Sequence, residues 1–281
     1  MHQPIRRFVT LATLLAALFA TLLARAGYAT ARKNLVFATI GAHNLRLDVY
    51  YPRTPPPAGG YPLIISIHGG GWIFGNRHKD LFLRDLTTHG YAFASIDYRL
   101  SGEAKFPAQI DDTRKALDWL IANAGPLQLN PERIGVTGAS AGAHLALLLG
   151  LHQSGHSNPI KAICALYPPT DLISIIPPEN RTRRDNLVAA LLGGSVSEHI
   201  EIARVGSPIT YVSKDAPPVL LIHGDKDTLV PIEQSKTLNA ALRRAGADSS
   251  LTIYQGKGHG FSLRPDMVAE VAKFFDRHVK D

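Results

Sequence analysis

The stretch Gly138-Ala139-Ser140-Ala141-Gly142 decides the fold of this chain, and it is the only Gly-x-Ser-x-Gly in the 281 residues. One apolar run, 133–137, comes directly before it, and a second, 143–149, comes directly after it. This order predicts a strand, a sharp turn and a helix, with the serine on a strained backbone that only small neighbours tolerate. The serine hydroxyl would then lie at the N-terminus of a helix, where backbone N–H groups stabilise negative charge.

Two later loops supply candidates for an acid and a base. A late apolar run leads into a loop with Asp225 and Asp227, and the next apolar run leads into a glycine-rich loop with His259. A serine hydroxyl is a weak nucleophile, and it needs a hydrogen-bonded base together with an anion that orients this base. We therefore predict that Ser140 is the nucleophile, that His259 is its base, and that one of the two aspartates is the anion.

A triple glycine earlier in the chain predicts a site for a developing negative charge. The apolar run 63–67 precedes the segment 68–72, which reads His-Gly-Gly-Gly-Trp. Consecutive glycines allow backbone N–H groups to approach a substrate oxygen without obstruction by side chains. We predict that the N–H groups of Gly70, Gly71 and Ala141 form an oxyanion hole, in which one donor typically stabilises the transition state by about 3 kcal/mol.

Two aromatic residues beside these loops are candidates for contact with a substrate. Trp72 follows the triple glycine, and Phe261 follows His259 by two positions. We predict that Trp72 forms a wall of the acyl pocket and that Phe261 closes over the histidine. A place in the hydrophobic core is the alternative for both rings.

Several other reactive side chains are expected to have structural roles. His144 lies one helical turn after Ser140, and we expect it to be packed or hydrogen-bonded rather than to act as the base. His68 and His223 end two apolar runs and are expected to orient the neighbouring loops. Cys164 is the only cysteine, and its apolar surroundings in the sequence predict a buried small hydrophobe.

The combination of these motifs resembles the α/β-hydrolase superfamily. Within it, the chain is similar to small acetyl-esterase and feruloyl-esterase-like carboxylesterases, akin to the bifunctional feruloyl/acetylxylan esterases. The likeness extends from about residue 35 to the end of the chain. It is carried by the segments 68–72, 97–100, 131–135, 138–142, 167–171, 207–211, 223–227 and 258–260.

The resemblance implies a serine esterase that acts on small or short-acyl esters, of acetyl or feruloyl type, through an acyl-enzyme. The family's Gly-x-x-Asp-x-x-Val-Pro pattern favours Asp227 over Asp225 as the acid, and Asp225 is then expected to brace its loop by accepting hydrogen bonds from backbone N–H groups. No metal or organic cofactor is implied, and the expected partner is a small-molecule ester. Two alternatives stay open: an amide, formamide or peptide hydrolase that uses the same residues, or a non-catalytic binding protein of this fold.

The order of apolar runs along the chain predicts the α/β class. Alternating strands and helices form a mostly parallel central sheet with helices on both faces, which is the architecture of the α/β-hydrolase fold. We expect a single domain over residues 27–281 and a small cap-like excursion over 168–212, where the alternation is interrupted. Asp97 and Arg99, which follow a predicted strand, are expected to form an internal ion pair.

Residues 1–26 have the pattern of a secretory signal peptide. Arg6 and Arg7 precede an apolar stretch, 8–24, and small residues stand in the expected positions before a junction at Ala26. We expect export to the periplasm or the medium, with no stable membrane insertion after the leader is removed; an uncleaved membrane anchor is the alternative. Without the leader's three arginines the formal charge falls from +7 to +4, which predicts no nucleic-acid partner.

Overall fold

The computed structural model describes residues 31–79, 81–152, 159–175 and 183–280. Its eight strands are β1 (Ala31–Ile40), β2 (His43–Tyr50), β3 (Tyr61–Ile67), β4 (Ala92–Ile96), β5 (Leu129–Ala139), β6 (Ile160–Leu166), β7 (Val219–Gly224) and β8 (Ser249–Tyr254). They form one sheet in the order β1-β2-β4-β3-β5-β6-β7-β8. β1 and β2 are antiparallel and join the sheet through an antiparallel pairing of β2 with β4. All the pairings from β4 to β8 are parallel.

Six α-helices lie within the described residues. They are α1 (Ala108–Ala122), α2 (Ala141–Leu151), α3 (Arg183–Leu192), α4 (Ile200–Val205), α5 (Glu233–Ala245) and α6 (Pro265–Phe275). A 3-10 helix, Leu81–His89, precedes β4, and a π-helical turn, Asp276–Lys280, extends α6. The predicted α/β class is confirmed, and since the carboxyl ends of parallel strands meet at one edge, the loops after β3, β5, β7 and β8 meet there as well.

The sheet is buried on both faces, which explains why its central strands read as continuous apolar runs. Every residue of β3 and β7 is buried. Successive side chains of β3 point to opposite faces, so that Ile65 joins a cluster with residues of α1 and α2, while Ile64 joins a cluster with residues of α6. Cys164 on β6 is fully buried, and this burial raises the pKa of its thiol.

The excursion 168–212 is largely helical where it is described. It contains α3, α4 and a short 3-10 helix, Pro208–Tyr211. Leu187 of α3 lies over the triple-glycine loop, where a Cβ built on Gly71 would be 2.7 Å from its Cδ2 atom. This part of the excursion therefore covers one side of the loop after β3.

The predicted leader, residues 1–26, lies outside the described residues. Within residues 31–79, 81–152, 159–175 and 183–280, the helices are too short or too polar to cross a bilayer.

Candidate active site

The turn between β5 and α2 consists of Ser140 alone. Its backbone has φ 54° and ψ −119°, a region that non-glycine residues rarely adopt and that costs about 1–3 kcal/mol. The glycines on either side permit the close packing of this turn. A Cβ on Gly138 would collide with the backbone of Gly142, and a Cβ on Gly142 would collide with the carbonyl oxygen of Ile67. The sharp turn thus projects the Ser140 side chain from the edge of the sheet at the start of a helix.

A hydrogen-bonded chain joins the three side chains that were predicted as nucleophile, base and acid. The Nε2 atom of His259 lies 2.9 Å from Ser140 Oγ, and its Nδ1 atom lies 2.7 Å from Asp227 Oδ2. The side chain of His259 is 19% exposed and that of Asp227 is 0% exposed. A carboxylate beside Nδ1 places the ring hydrogen there, so Nε2 can accept the serine proton. The structure brings together residues that lie 119 and 32 positions apart.

The environment of Asp227 keeps its carboxylate charged. Oδ1 accepts hydrogen bonds from the N–H groups of Leu229 (2.9 Å) and Val230 (2.8 Å). Oδ2 lies 3.3 Å from the Nε2 atom of His223 as well as beside His259. Burial raises the pKa of Asp227, but the hydrogen bonds from His223 and His259 outweigh burial and hold this pKa well below its usual value. The carboxylate is therefore available to stabilise a positive charge on His259.

The contact between His223 and Asp227 was not predicted from the sequence. His223 is fully buried, with Nδ1 2.7 Å from Ser235 Oγ and Nε2 2.9 Å from the carbonyl oxygen of Val230. These contacts orient the loop after β7, as expected for this histidine. The signal that could have indicated the contact is the position of His223 at the end of a buried strand, four residues before the acid.

Asp225, the other candidate for the acid, has a different environment from Asp227. Asp225 Oδ1 accepts a hydrogen bond of 2.5 Å from the N–H group of Gly256. This bond ties the loop after β7 to the loop after β8. The bracing contact expected for Asp225 is present, whereas Asp227 contacts His259.

The triple-glycine loop has the left-handed backbone that its sequence permits. Gly70 has φ 122° and Gly71 has φ 61°, and a Cβ on Gly70 would collide with the carbonyl oxygen of Phe74. Within the described residues, the N–H groups of Gly70, Gly71 and Ala141 donate to no backbone acceptor outside the regular elements. Both glycines line a cavity together with Ser140. The three N–H groups predicted as the oxyanion hole therefore border the candidate nucleophile, and their role stays a prediction.

Two cavities of unequal size open beside Ser140. The wide cavity has a volume of about 550 Å³ and is lined on one side by the loop of His259 and Phe261. The narrow cavity has a volume of about 20 Å³ and is lined by apolar side chains, among them Trp72 and Val188. Four residues line both cavities: Gly71, Ser140, Leu187 and Leu229.

The two predicted aromatic contacts have different positions. Trp72 is only 3% exposed, so it belongs to the core, yet it also lines the narrow cavity. Phe261 lines the wide cavity and packs against Tyr167, with their ring centroids 5.5 Å apart. The Tyr167 ring lies edge-on to His259 at 4.8 Å. Tyr167, which directly follows β6 at the same sheet edge, is a site residue that sequence reasoning missed.

Comparison with known proteins identifies the family. A family model described as BD-FAE matches residues 47–242, which is more than half of the chain. The chain belongs to the BD-FAE family. The expected resemblance to α/β-hydrolase esterases of the acetyl and feruloyl type is thereby confirmed at the level of the family.

Relatives of this BD-FAE member include two esterases from Mycobacterium tuberculosis (strain ATCC 25618 / H37Rv). Esterase LipC is 31% identical over 230 residues, which cover 77% of this chain and 57% of LipC. Esterase LipQ is 30% identical over 263 residues, which cover 88% of this chain and 62% of LipQ. The chain thus spans about three fifths of the length of these relatives. A truncated carbohydrate esterase from gut microbiota superposes with a TM-score of 0.79 at 28% identity, over 90% of this chain and 98% of that one.

A buried charged network supports the loop after β3. Arg77, only a few residues beyond the triple glycine, bonds Asp48 Oδ1 through Nε (3.0 Å) and Asp97 Oδ2 through Nη1 (2.8 Å). Its backbone N–H group also donates to Asp97 Oδ1 at 2.8 Å. Burial lowers the pKa of Arg77, but the bonds to Asp48 and Asp97 outweigh this effect and raise it above its usual value. The network anchors the end of the loop to β2 and β4.

The prediction of an internal ion pair between Asp97 and Arg99 is wrong. Arg99 instead bonds both carboxylate oxygens of Asp112 on α1, each at 2.8 Å, while Asp97 bonds Arg77. Asp112 also accepts the backbone N–H group of Arg99 at 3.0 Å. The buried carboxylate on α1 thus offers Arg99 a bidentate partner, which is a stronger contact than a neighbour two positions away along the chain.

The remaining histidines near the site have the structural contacts expected for them. His144 is fully buried, and its Nε2 atom lies 2.6 Å from the carbonyl oxygen of Gly206. Burial lowers the pKa of His144 to about 4. His68 stacks on Tyr98 with ring centroids 4.3 Å apart, and its Nδ1 atom lies 2.8 Å from the carbonyl oxygen of Gly69. In the described part of the chain, no group of three or more histidine, cysteine or acidic side chains is arranged to hold a metal ion.

Proposed function

We propose that this chain is a serine carboxylic ester hydrolase that acts on small or short-acyl esters through an acyl-enzyme on Ser140. The observation that carries the proposal is the hydrogen-bonded chain from Ser140 through His259 to the buried Asp227, at the edge of a cavity. Membership of the BD-FAE family and the esterase names of LipC and LipQ support the same activity.

The proposed reaction uses each group in one role. Ser140 Oγ attacks the ester carbonyl carbon while His259 Nε2 takes up its proton, and Asp227 stabilises the imidazolium. The N–H groups of Gly70, Gly71 and Ala141 hold the oxyanion of the tetrahedral intermediate. His259 then returns its proton to the departing alcohol. Water repeats the sequence on the acyl-enzyme and releases the acid, which restores the serine.

The two cavities divide the ester between its acyl and alcohol parts. His259 must reach the leaving oxygen, so the alcohol lies on the side of Ser140 where the histidine loop stands, in the wide cavity. The acyl group points away from His259, toward the narrow cavity that Trp72 and Val188 line. A volume of about 20 Å³ holds a group of roughly the size of a water molecule. The methyl of an acetyl group, whose carbonyl lies at Ser140, is of this size, whereas a feruloyl group is far larger. Of the two ester types that the family suggests, we therefore propose acetyl.

A substrate panel tests the proposed activity. We expect rapid hydrolysis of 4-nitrophenyl acetate, slower hydrolysis of the butyrate, and little turnover of methyl ferulate, an acetanilide or a peptide. S140A should fold normally and lose at least about 1,000-fold in kcat on the acetate, as is usual when a serine nucleophile is removed. Equal turnover by wild type and S140A, or faster cleavage of the amide than of the ester, would contradict the proposal.

Covalent labelling separates the enzyme from a binding protein of the same fold. A fluorophosphonate should add one adduct to wild type and none to S140A, as measured by intact-protein mass spectrometry. Absence of an adduct on wild type would favour the non-catalytic alternative.

We also propose that residues 1–26 direct export and are removed. The basic start followed by the apolar stretch 8–24 supports this proposal. N-terminal sequencing of the exported protein should begin at residue 27. Recovery of the intact leader in the membrane fraction would support the anchor instead.

A further inference from the structure

The wide cavity offers the alcohol part of the ester an aromatic surface. Four rings line it: Phe74, Phe82, Tyr167 and Phe261. Phe74 is 48% exposed, so its ring is open to contact with a ligand in the cavity. Rings of this kind bind flat ligands by stacking. The cavity therefore suits an alcohol that carries a ring.

The same cavity has one lysine and, among its described lining residues, no carboxylate. The ammonium group of Lys79 lies 4.9 Å from the centre of the Phe74 ring. Within the described residues, no ion pair involves this lysine. A ligand bound in this cavity would therefore lie near a cation that pairs with no carboxylate among the described residues.

We propose that Lys79 and Phe74 form an alcohol-side subsite for esters whose alcohol carries a ring with a carboxylate. The inference rests on the proposed ester hydrolysis, because His259 decides which part of the ester enters this cavity. Stacking on Phe74 orients the ring, and the ammonium group of Lys79 pairs with the carboxylate. The subsite selects among acetyl esters by the charge of the leaving group.

Two isosteric esters test the subsite. 4-Acetoxybenzoate carries the carboxylate, and 4-acetoxybenzamide replaces it with a neutral group of the same shape. We call the kcat/KM value for the benzoate divided by that for the benzamide the selectivity ratio. In K79Q this selectivity ratio should fall about three- to tenfold, mainly because KM for the benzoate rises. An effect of this size is expected for the loss of a partly exposed ion pair. K79E should lower the ratio further. The difference between wild type and K79Q should shrink at 0.5 M salt, because salt screens exposed charges.

K161Q is the matched control. Lys161 is an exposed lysine at the start of β6, whereas the site lies at the carboxyl ends of the strands. This variant changes the net charge by the same amount as K79Q but leaves the cavity intact. The kcat/KM value for the benzoate divided by that for the benzamide should be the same in K161Q as in wild type. A ratio that is the same in wild type, K79Q and K161Q would overturn the proposal, as would an equal fall in both variants.

A binding measurement makes the subsite testable apart from catalysis. 4-Hydroxybenzoate should bind wild type more tightly than 4-hydroxybenzamide by ligand-observed NMR, and K79Q should lose the difference. If this holds while neither ester is hydrolysed, the subsite stands and the proposed function fails. If both esters are hydrolysed and Lys79 affects neither the rates nor binding, the function stands and the subsite is wrong.

Discussion

Two polar networks flank Ser140, and each contains a buried carboxylate with a different kind of partner. Behind the triple-glycine loop, Asp48 bonds the guanidinium of Arg77. At the other side of the site, Asp227 bonds the imidazoles of His259 and His223. The side chains of Asp48 and Asp227 are both 0% exposed.

The difference follows from what each region has to do. The loop after β3 only has to keep its shape, and a guanidinium that never loses its proton holds it through fixed, directional bonds. The region of Asp227 has to accept and release a positive charge, and imidazole is the side chain that does so near neutral pH. Three predictions test this division, beginning with the largest expected effect.

Removal of the charge of Asp227 should affect catalysis most. D227N keeps the shape of the side chain but favours the wrong ring tautomer of His259, so kcat on 4-nitrophenyl acetate should fall by about 10,000-fold. D225N is the matched control in the same loop, since Asp225 bonds only to the neighbouring loop in its described contacts. It should keep kcat within about threefold of wild type. Similar losses in both variants would show that the two aspartates share the acid role.

Removal of the charge of Arg77 should affect stability more than the removal of an exposed arginine. R77M leaves the buried carboxylate of Asp48 without a permanent cation, so the free energy of unfolding should fall by about 3–5 kcal/mol. R204M breaks an exposed pair with Glu201 and should leave the urea midpoint nearly unchanged. If R77M unfolds at the same urea concentration as R204M, the network does not anchor the loop.

His144 should produce a smaller, pH-dependent effect on stability. Its pKa is lowered to about 4 in the folded protein and is about 6.5 in the unfolded chain, which therefore binds a proton first as pH falls. The stability that neutral His144 contributes is complete above pH 6.5 and is lost between pH 6.5 and 4, by about 3 kcal/mol.

H144Q isolates this effect, because glutamine can donate to the carbonyl oxygen of Gly206 and does not titrate. The free energy of unfolding, measured in urea at a series of pH values, should fall less steeply below pH 6.5 for H144Q than for wild type. If the free energy of unfolding depends on pH in the same way in the two proteins, protonation of His144 does not destabilise the folded state.

The sequence by itself determined the strand–turn–helix around Ser140, the class of the fold and the candidate acid and base. These features are local. Gly138 and Gly142 are required by the sterics of one turn, and the apolar runs reflect strands that are buried on both faces. The chain order of serine, acid and histidine then indicated which loops meet, since loops after parallel strands share one edge of the sheet.

Only the tertiary structure decided which side chains pair across that edge. Arg77 contacts Asp48 and Asp97 because β4 lies between β2 and β3, a strand order that no local pattern specifies. The mistaken pairing of Asp97 with Arg99 has the same origin, because α1 brings a better partner from outside the motif. The contact of Tyr167 with His259 and the position of Lys79 in the wide cavity likewise depend on distances between loops, which spacing along the chain does not contain.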